Sequence, residues 1–214
     1  MAPTKLLLIR HGQTDDNWRR VYQGHAGRGL DARGREQASL LAARLARSSV
    51  HLDALYCSDL ERAQETAAIL GAALSLTPVP DPELREVHLG AWQGLSFAEV
   101  EARFPEEHAA WRRGEDIRRG GGETYAELGV RLTRALTRIA ARHDGGTVAI
   151  VSHGAAIKTF TALALGIAVA QTRAFQVPTN TGVCLFERTD RDAFRLLVWN
   201  DAAHLGDPIA QALA

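Results

Sequence analysis

Two short apolar runs in this chain each lead to a histidine followed by a glycine, and this repeated pattern constrains the fold strongly. Residues 6–9 lead to His11, and residues 148–151 lead to His153. Runs of this length are typical of buried strands in parallel sheets, whose carboxyl ends form the edge where such sheets bind ligands. The sequence therefore predicts that both imidazoles lie in one cleft at that edge.

Further apolar runs alternate with helical patterns. After the first run, Ala38, Leu41, Ala42 and Leu45 recur at the spacing of one helix face. More strands are expected at residues 54–57, 183–186 and 194–199. This alternation predicts an α/β fold, a three-layer α/β/α sandwich with a mostly parallel central sheet, in a single domain over residues 1–214. Residues 77–122 are rich in proline and glycine, which predicts an insertion over the rim of the sheet.

Two capping boxes are expected from the spacing of hydroxyl and carboxyl residues. Ser58 precedes Glu61 by three positions, and Thr124 precedes Glu127 by three. The first box would begin a helix with Arg62 in its opening turn. The second would begin a long helix that leads to the strand before His153.

The overall charge excludes some classes of partner. The chain has 25 basic and 25 acidic side chains, so no global positive excess points to nucleic acid or an anionic membrane. The apolar stretches are too short for a signal peptide or a bilayer span, which leads us to expect a soluble, cytoplasmic protein. Cys57 and Cys184 lack metal-ligand or redox spacing and are interpreted as core residues.

The adjacent residues Arg10 and His11 suit the binding of a phosphate group. A guanidinium binds phosphate oxygens in a bidentate manner, and an unprotonated imidazole nitrogen can attack phosphorus. Attack requires that the other ring nitrogen of His11 be held by a hydrogen bond, and we expect a backbone carbonyl to accept it.

Four separated segments extend this interpretation. They are residues 8–14 (Leu-Ile-Arg-His-Gly-Gln-Thr) with Asn17, Gln23 and Gly24; residues 58–63 with Thr66 and Ala67; residues 84–86 with Gly90, Trp92 and Gly94; and residues 152–154. In this order they resemble the signature of the histidine phosphatase superfamily, the phosphoglycerate mutase-like enzymes. Residues 121–123 and 200–201 also resemble recurrent family positions.

The resemblance implies a metal-independent phosphomonoesterase without a cofactor, acting on a small phosphorylated metabolite and releasing phosphate. His11 is then the nucleophile, and Glu86 is the proton donor and later the base. Arg10, Arg62 and a protonated His153 are expected to neutralise the phosphoryl oxygens. The helices that start near Ser58 and Gly154 are expected to aim backbone N–H groups at the same anion.

Additional substrate contacts are expected from Asn17, Gln23, Gly24 and Gly154. Arg112 and Arg113, in the expected insertion, are interpreted as contacts to a carboxylate or second phosphate of the substrate. The alternative is that these two arginines belong to a charged surface that only contacts solvent.

Three other functions remain open. A cofactor-dependent phosphoglycerate mutase is the main alternative, although Leu89 and Phe97 stand where family mutases have a Tyr and a Lys. A noncatalytic phospholigand-binding module and a metallohydrolase are disfavoured, since the five reactive residues are all present and no metal-ligand spacing appears.

The sequence departs from the family pattern at the outer part of the site. Asp16 stands where a Trp is usual, and Leu30-Asp31 replaces a frequent Leu-Thr. The sequence therefore leaves the physiological substrate open, and it also does not decide between a monomer and a homodimer.

Overall fold

A mixed sheet lies at the centre of the computed structural model, which describes residues 2–189 and 193–206. Within these ranges its six strands are β1 (Lys5–Arg10), β2 (Ala54–Cys57), β3 (Pro78–Pro80), β4 (Thr147–Ser152), β5 (Val183–Arg188) and β6 (Phe194–Asp201). Their order is β3-β2-β4-β1-β5-β6. Neighbours from β3 to β1 pair in parallel, and β5 pairs antiparallel with β1 and with β6. The predicted mostly parallel sheet is confirmed.

Helices cover both faces of this sheet. They are α1 (Asp15–Trp18), α2 (Ala32–Arg47), α3 (Glu61–Leu74), α4 (Phe97–Arg103), α5 (Pro105–Arg113), α6 (Tyr125–Arg142) and α7 (Gly154–Ala164). Short 3₁₀ turns lie at Pro82–Leu84, Gly90–Trp92, Arg119–Gly121, Val169–Ala174 and Ala203–Leu205. None of the described helices has the length and apolar character that a bilayer crossing requires.

Alternate side chains of β1 pack into different layers. Leu6 and Leu8 belong to a core with α6 and α7, whereas Leu7 and Ile9 belong to a core with α2 and α3. A strand that is buried on both faces must be apolar at successive positions, which explains the unbroken run at residues 6–9. The three-layer α/β/α prediction is therefore confirmed.

The central pair of strands brings the two histidine segments together. In the β1–β4 register Arg10 lies opposite Ser152, and the amide of His11 donates to the carbonyl of Ser152 over 3.0 Å. Since both strands run in the same direction, His11 and His153 leave the sheet side by side at its carboxyl edge.

A close backbone approach holds the loop after β1 against the start of α2. A Cβ on Gly12 would lie 2.5 Å from the carbonyl oxygen of Gly34, and a Cβ on Gly34 would lie 2.0 Å from that of Gln13. These distances are far below van der Waals contact, so neither position accepts a side chain without movement of the backbone.

One of the two predicted capping boxes is wrong. Helix α3 begins at Glu61 with Leu60 as its N-cap, and the hydroxyl of Ser58 accepts instead from the amide of Leu60 over 3.3 Å. The reason is that Ser58 still belongs to the sheet, because its amide donates to the carbonyl of Val151 over 2.9 Å. The box of Thr124 and Glu127 at the start of α6 is confirmed.

The segment expected as a rim insertion begins within the sheet. Pro78–Pro80 form β3, an edge strand paired with β2, where a proline costs only one ladder hydrogen bond. The remainder, from Pro82–Leu84 through α4 and α5 to Arg119–Gly121, lies outside the sheet.

Candidate active site

His11 is fixed in one tautomer at the end of β1. Its side chain is buried, and its Nδ1–H donates to the carbonyl of Gly12 over 2.7 Å. Burial first, and then the nearby Arg62 and Arg10 guanidiniums, lower the pKa of His11 well below 6.5. At neutral pH the ring is therefore uncharged, with an unprotonated Nε2 that has a lone pair for attack.

His153 lies beside His11 at the end of β4. The two ring centroids are 5.2 Å apart, and the residue is completely buried. Neither of its ring nitrogens has a hydrogen-bond partner among the described residues. We expected a protonated ring, but burial, followed by the charge of Arg62, lowers the pKa of His153 well below 6.5. Without an anion beside it, this imidazole is neutral because a cation would be poorly solvated there.

Two guanidiniums flank these imidazoles and are held by backbone carbonyls. Arg62, which is 2% exposed, donates to Gly24 over 2.7 Å and to Ala26 over 2.8 Å. Arg10 donates to Pro178 over 2.7 Å. The Nε of each arginine is buried and has no partner within the described part of the chain. Carbonyls orient a guanidinium without neutralising it, so its charge stays available to a ligand.

Burial makes these positive charges costly. Desolvation lowers the pKa of Arg62 to about 10 and also lowers that of Arg10, and in both cases the charge of Glu86 opposes the effect. We call Arg10, His11, Arg62 and His153 the phosphate centre. Its unpartnered N–H groups and its two cations are the donor set that a tetrahedral oxyanion requires.

Glu86 lies next to this centre, at the start of α7. Its carboxylate accepts from the amides of Ala155 and Ala156 over 3.0 and 2.9 Å, and from its own neighbour Val87 over 3.0 Å. We expected the first amides of α7 to face the anion, but two of them bind Glu86 instead. The helix end therefore orients a carboxylate that can exchange a proton beside the phosphate centre.

The other expected substrate contacts are mainly engaged within the protein. The Oδ1 of Asn17 accepts from the amide of Thr14 over 3.2 Å, and Nε2 of Gln23 donates to the hydroxyl of Thr14 over 3.0 Å. Gly24 presents its carbonyl to Arg62, and a Cβ on Gly154 would lie 3.2 Å from Nε of Arg10. These residues shape the loops and hold the arginines, and Oε1 of Gln23 is buried without a partner in the described ranges.

The structure separates the two adjacent arginines of α5. Arg113 is largely exposed and binds Glu115 over 2.7 Å. Arg112 lines a cavity of about 340 Å³ together with Trp111, Tyr125, Lys158 and Phe175. Two walls of this cavity come from chain segments that also lie beside Arg10. Lys158 lies one helical turn beyond Gly154, and Phe175 lies three residues before Pro178, whose carbonyl accepts from Arg10.

Sequence reasoning missed Arg119 and Asn180. Arg119 is 3% exposed, lies 4.1 Å above the ring of Tyr125 and donates to its hydroxyl over 2.9 Å. The sequence shows it only as one of several arginines. Asn180 donates to the carbonyl of His11 over 2.9 Å, and the sequence before β5 contains no motif that indicates this contact.

The hydroxyl of Tyr22 also lies in this region. It is buried and, like Nη2 of Arg119, has no partner among the residues that the structure describes. Burial raises the pKa of Tyr22 to about 12, while Arg119 and Arg112 oppose that rise and Tyr125 adds to it. Two guanidiniums and a second phenol are thus grouped around the hydroxyl of Tyr22.

Over residues 2–189 and 193–206, no three His, Cys, Asp or Glu side chains are grouped as ligands of one ion would be.

Several known proteins are similar to this chain in sequence. The Bifunctional protein Rv2228c of Mycobacterium tuberculosis is 41% identical over 164 residues, which are 77% of this chain and 45% of the relative. The chain thus spans less than half the length of that protein. Phosphoserine phosphatase 1 of Hydrogenobacter thermophilus is 30% identical over 209 residues, covering 97% of each chain.

A solved structure extends the similarity to the fold. Mycobacterial glucosyl-3-phosphoglycerate phosphatase Rv2419c, complexed with VO3, superposes with a TM-score of 0.82 at 33% identity, covering 92% of this chain and 98% of its own. The sequence profile of the histidine phosphatase superfamily (branch 1) matches residues 6–202. The chain therefore belongs to the histidine phosphatase superfamily.

Proposed function

We propose that this protein hydrolyses small phosphomonoesters through a phosphohistidine formed on Nε2 of His11. One observation carries the proposal: Nδ1 of His11 is held by the Gly12 carbonyl, which leaves Nε2 as the free nucleophile among buried, unpartnered donors. Two of the similar proteins described above carry phosphatase names, which supports hydrolysis of small phosphorylated metabolites.

The first step forms the enzyme–phosphoryl bond. The lone pair of Nε2 attacks phosphorus while the bond to the ester oxygen breaks. Arg10, Arg62 and the N–H of His153 hold the three equatorial oxygens, where the charge of the transition state lies. The ester oxygen takes a proton from Glu86 as it leaves, because an alkoxide is a poor leaving group.

The second step releases phosphate. The Glu86 carboxylate takes a proton from water as the water oxygen attacks phosphorus, and the phosphorus–nitrogen bond breaks. Nε2 regains its lone pair, and inorganic phosphate leaves. The hydrogen bonds from Ala155 and Ala156 support this role, since they hold the Glu86 carboxylate in place beside the phosphate centre.

Trapping the intermediate tests this mechanism. Wild-type protein mixed briefly with a ³²P-labelled phosphomonoester and quenched in alkali is expected to hold acid-labile, alkali-stable label. His11→Ala is expected to hold none. Label that persists in His11→Ala, or turnover without any trapped label under single-turnover conditions, would contradict a phosphohistidine on His11.

Water, rather than a second substrate molecule, is proposed as the final acceptor. Leu89 is buried, and Phe97 stacks on Tyr22 at 4.4 Å, so these two positions offer no polar contact to retain a product. Early product loss favours hydrolysis over return of the phosphoryl group. Assays with 3-phosphoglycerate are expected to yield inorganic phosphate, and formation of 2-phosphoglycerate would instead support the mutase alternative.

We further propose that Arg112 contacts an anionic group on the leaving part of the substrate. Arg112 lines a cavity whose walls belong in part to the chain segments that lie beside Arg10, which supports this role. The exposed Arg113, which was expected to share it, is paired with Glu115, and we leave it out of the proposal. The cavity also contains Glu115, so the substrate anion is expected to bind on the Arg112 and Lys158 side.

A further inference from the structure

Arg131, on the second turn of α6, lies beneath the chain segment that carries Glu86. Its guanidinium donates to three backbone carbonyls of that segment: Glu83 over 2.7 Å, Arg85 over 3.1 Å and Glu86 over 3.2 Å. Residues 85–89 are neither helix nor strand, so sheet or helix hydrogen bonds do not satisfy the carbonyls of Arg85 and Glu86. Arg131 provides the partners that regular structure would otherwise supply.

Glu123 fixes Arg131 in this position. Its two carboxylate oxygens accept from Nε and Nη2 of Arg131 over 3.0 and 2.8 Å, and both side chains are less than one fifth exposed. The backbone of Glu123 also binds this segment, because its amide donates to the carbonyl of His88 over 2.8 Å. The ion pair is therefore bonded to the segment on both sides of Glu86.

A second donor reaches the same carbonyl of Glu86. The Nε2–H of His25 donates to it over 2.8 Å, and burial lowers the pKa of His25, which keeps this ring neutral at neutral pH. The charged groups near His25 include Arg131, Arg85 and Asp59, and the ring of His88 meets the His25 ring edge-on with the centroids 4.9 Å apart. The backbone of Glu86 is thus held by α6 and by the loop after Tyr22, while its carboxylate is held by α7.

We infer that Arg131, fixed by Glu123, is a positioning residue that sets the place of Glu86 against the leaving group. This inference rests on the proposed role of Glu86 as proton donor. Five hydrogen bonds in one plane require the forked guanidinium, and an ammonium at this site cannot reach all five acceptors. A small displacement of a proton donor slows the step that needs it and leaves other steps intact.

The test compares two ester classes by kcat/KM, which reports only the steps up to release of the leaving group. An alkyl phosphate needs a proton from Glu86, whereas p-nitrophenyl phosphate releases a stable anion without one. Arg131→Lys is expected to lower kcat/KM about 10–100-fold for the alkyl phosphate, with less than about threefold change for p-nitrophenyl phosphate. Glu123→Gln is expected to give the same pattern more weakly, and it provides the test if Arg131→Lys folds poorly.

Arg134→Lys is the matched control. Arg134 lies three residues further along α6 and is exposed, and it binds the same segment only through the side-chain carboxylate of Glu83. It is expected to leave both ester classes unchanged. The inhibition constant of inorganic phosphate should also stay at the wild-type value in all variants, since Arg131 does not touch the phosphate centre.

The outcomes separate the inference from the function on which it rests. If Glu86→Gln lowers kcat/KM equally for both esters, the proton-donor role of Glu86 is overturned. If Glu86→Gln shows the selective loss but Arg131→Lys and Glu123→Gln lower both esters equally, or neither, then the positioning role of Arg131 is overturned.

Discussion

The arginines of the phosphate centre and two exposed arginines of the outer wall, residues 97–122, have partners of opposite kinds. Arg10 and Arg62 are held by carbonyls of Pro178, Gly24 and Ala26, which orient them and leave their charge uncompensated. In the wall, Arg113 and Arg118 are exposed and bind the carboxylates of Glu115 and Glu127. Carbonyl-held arginines attract an anion, whereas carboxylate-held arginines are already neutralised. The number of arginines near a site therefore says less about anion binding than the chemistry of their partners.

The largest loss of activity expected from this difference follows substitution of Arg62. An ammonium cannot bridge Gly24 and Ala26 and also reach an oxyanion, so Arg62→Lys is expected to lower kcat/KM for p-nitrophenyl phosphate by about 10²–10³-fold. The inhibition constant of phosphate should rise with it. The matched control is Arg85→Lys, since Arg85 is held by the carboxylate of Asp59 in a bidentate pair. Losses of similar size in both variants would show that the partner of an arginine does not decide its role in anion binding.

A smaller effect is expected in the pH dependence of stability. The pKa values of His11 and His153 are lowered well below 6.5 in the folded protein, so the unfolded chain takes up protons first as the pH falls. The stabilisation that depends on these two neutral histidines is fully present above about pH 6.5. Below that pH, each histidine lowers the free energy of unfolding by about 1.4 kcal/mol per pH unit, until the pKa of that histidine in the folded protein is reached. Urea unfolding at about pH 7 and about pH 5.5 measures this loss.

His153→Gln isolates one of the two contributions. The free energy of unfolding of this variant should decrease less over the same pH interval than that of the wild type, because only His11 then remains in the phosphate centre. Saturating inorganic phosphate should also flatten the fall in the wild-type protein, since an anion beside His153 favours its protonated form. An equal fall in variant and wild type would show that the destabilisation arises outside this centre.

The sequence predicted the strand ends because their cause is local. A four-residue apolar run such as residues 6–9 is typical of a strand buried on both faces, and the polar residues that follow it mark the end of that strand at His11. The expected carbonyl partner of His11 is likewise one peptide away. Such features follow from neighbours in the chain.

Features set by distant residues were not predicted. The Ser58 capping box fails because a sheet bond to Val151, which is remote in sequence, takes priority. The charge of His153 depends on burial and on Arg62. Among several arginines, burial of Arg119 against Tyr125 follows from packing that charge patterning does not encode.

The smallest change in kinetics is expected in the outer wall, where substitution of Arg112 tests whether this wall discriminates between substrates. Arg112→Ala is expected to raise KM about tenfold for a phosphomonoester whose leaving group carries a carboxylate, because a hydrogen bond to a charged partner is worth about 1.5–3 kcal/mol. KM for p-nitrophenyl phosphate should stay unchanged, since that ester has no second anion. Arg113→Ala removes the neighbouring guanidinium, which is already paired with Glu115, and should change neither. Equal rises in KM for both esters would place Arg112 among the residues that bind the phosphoryl group, and the contrast between centre and wall would then lie elsewhere.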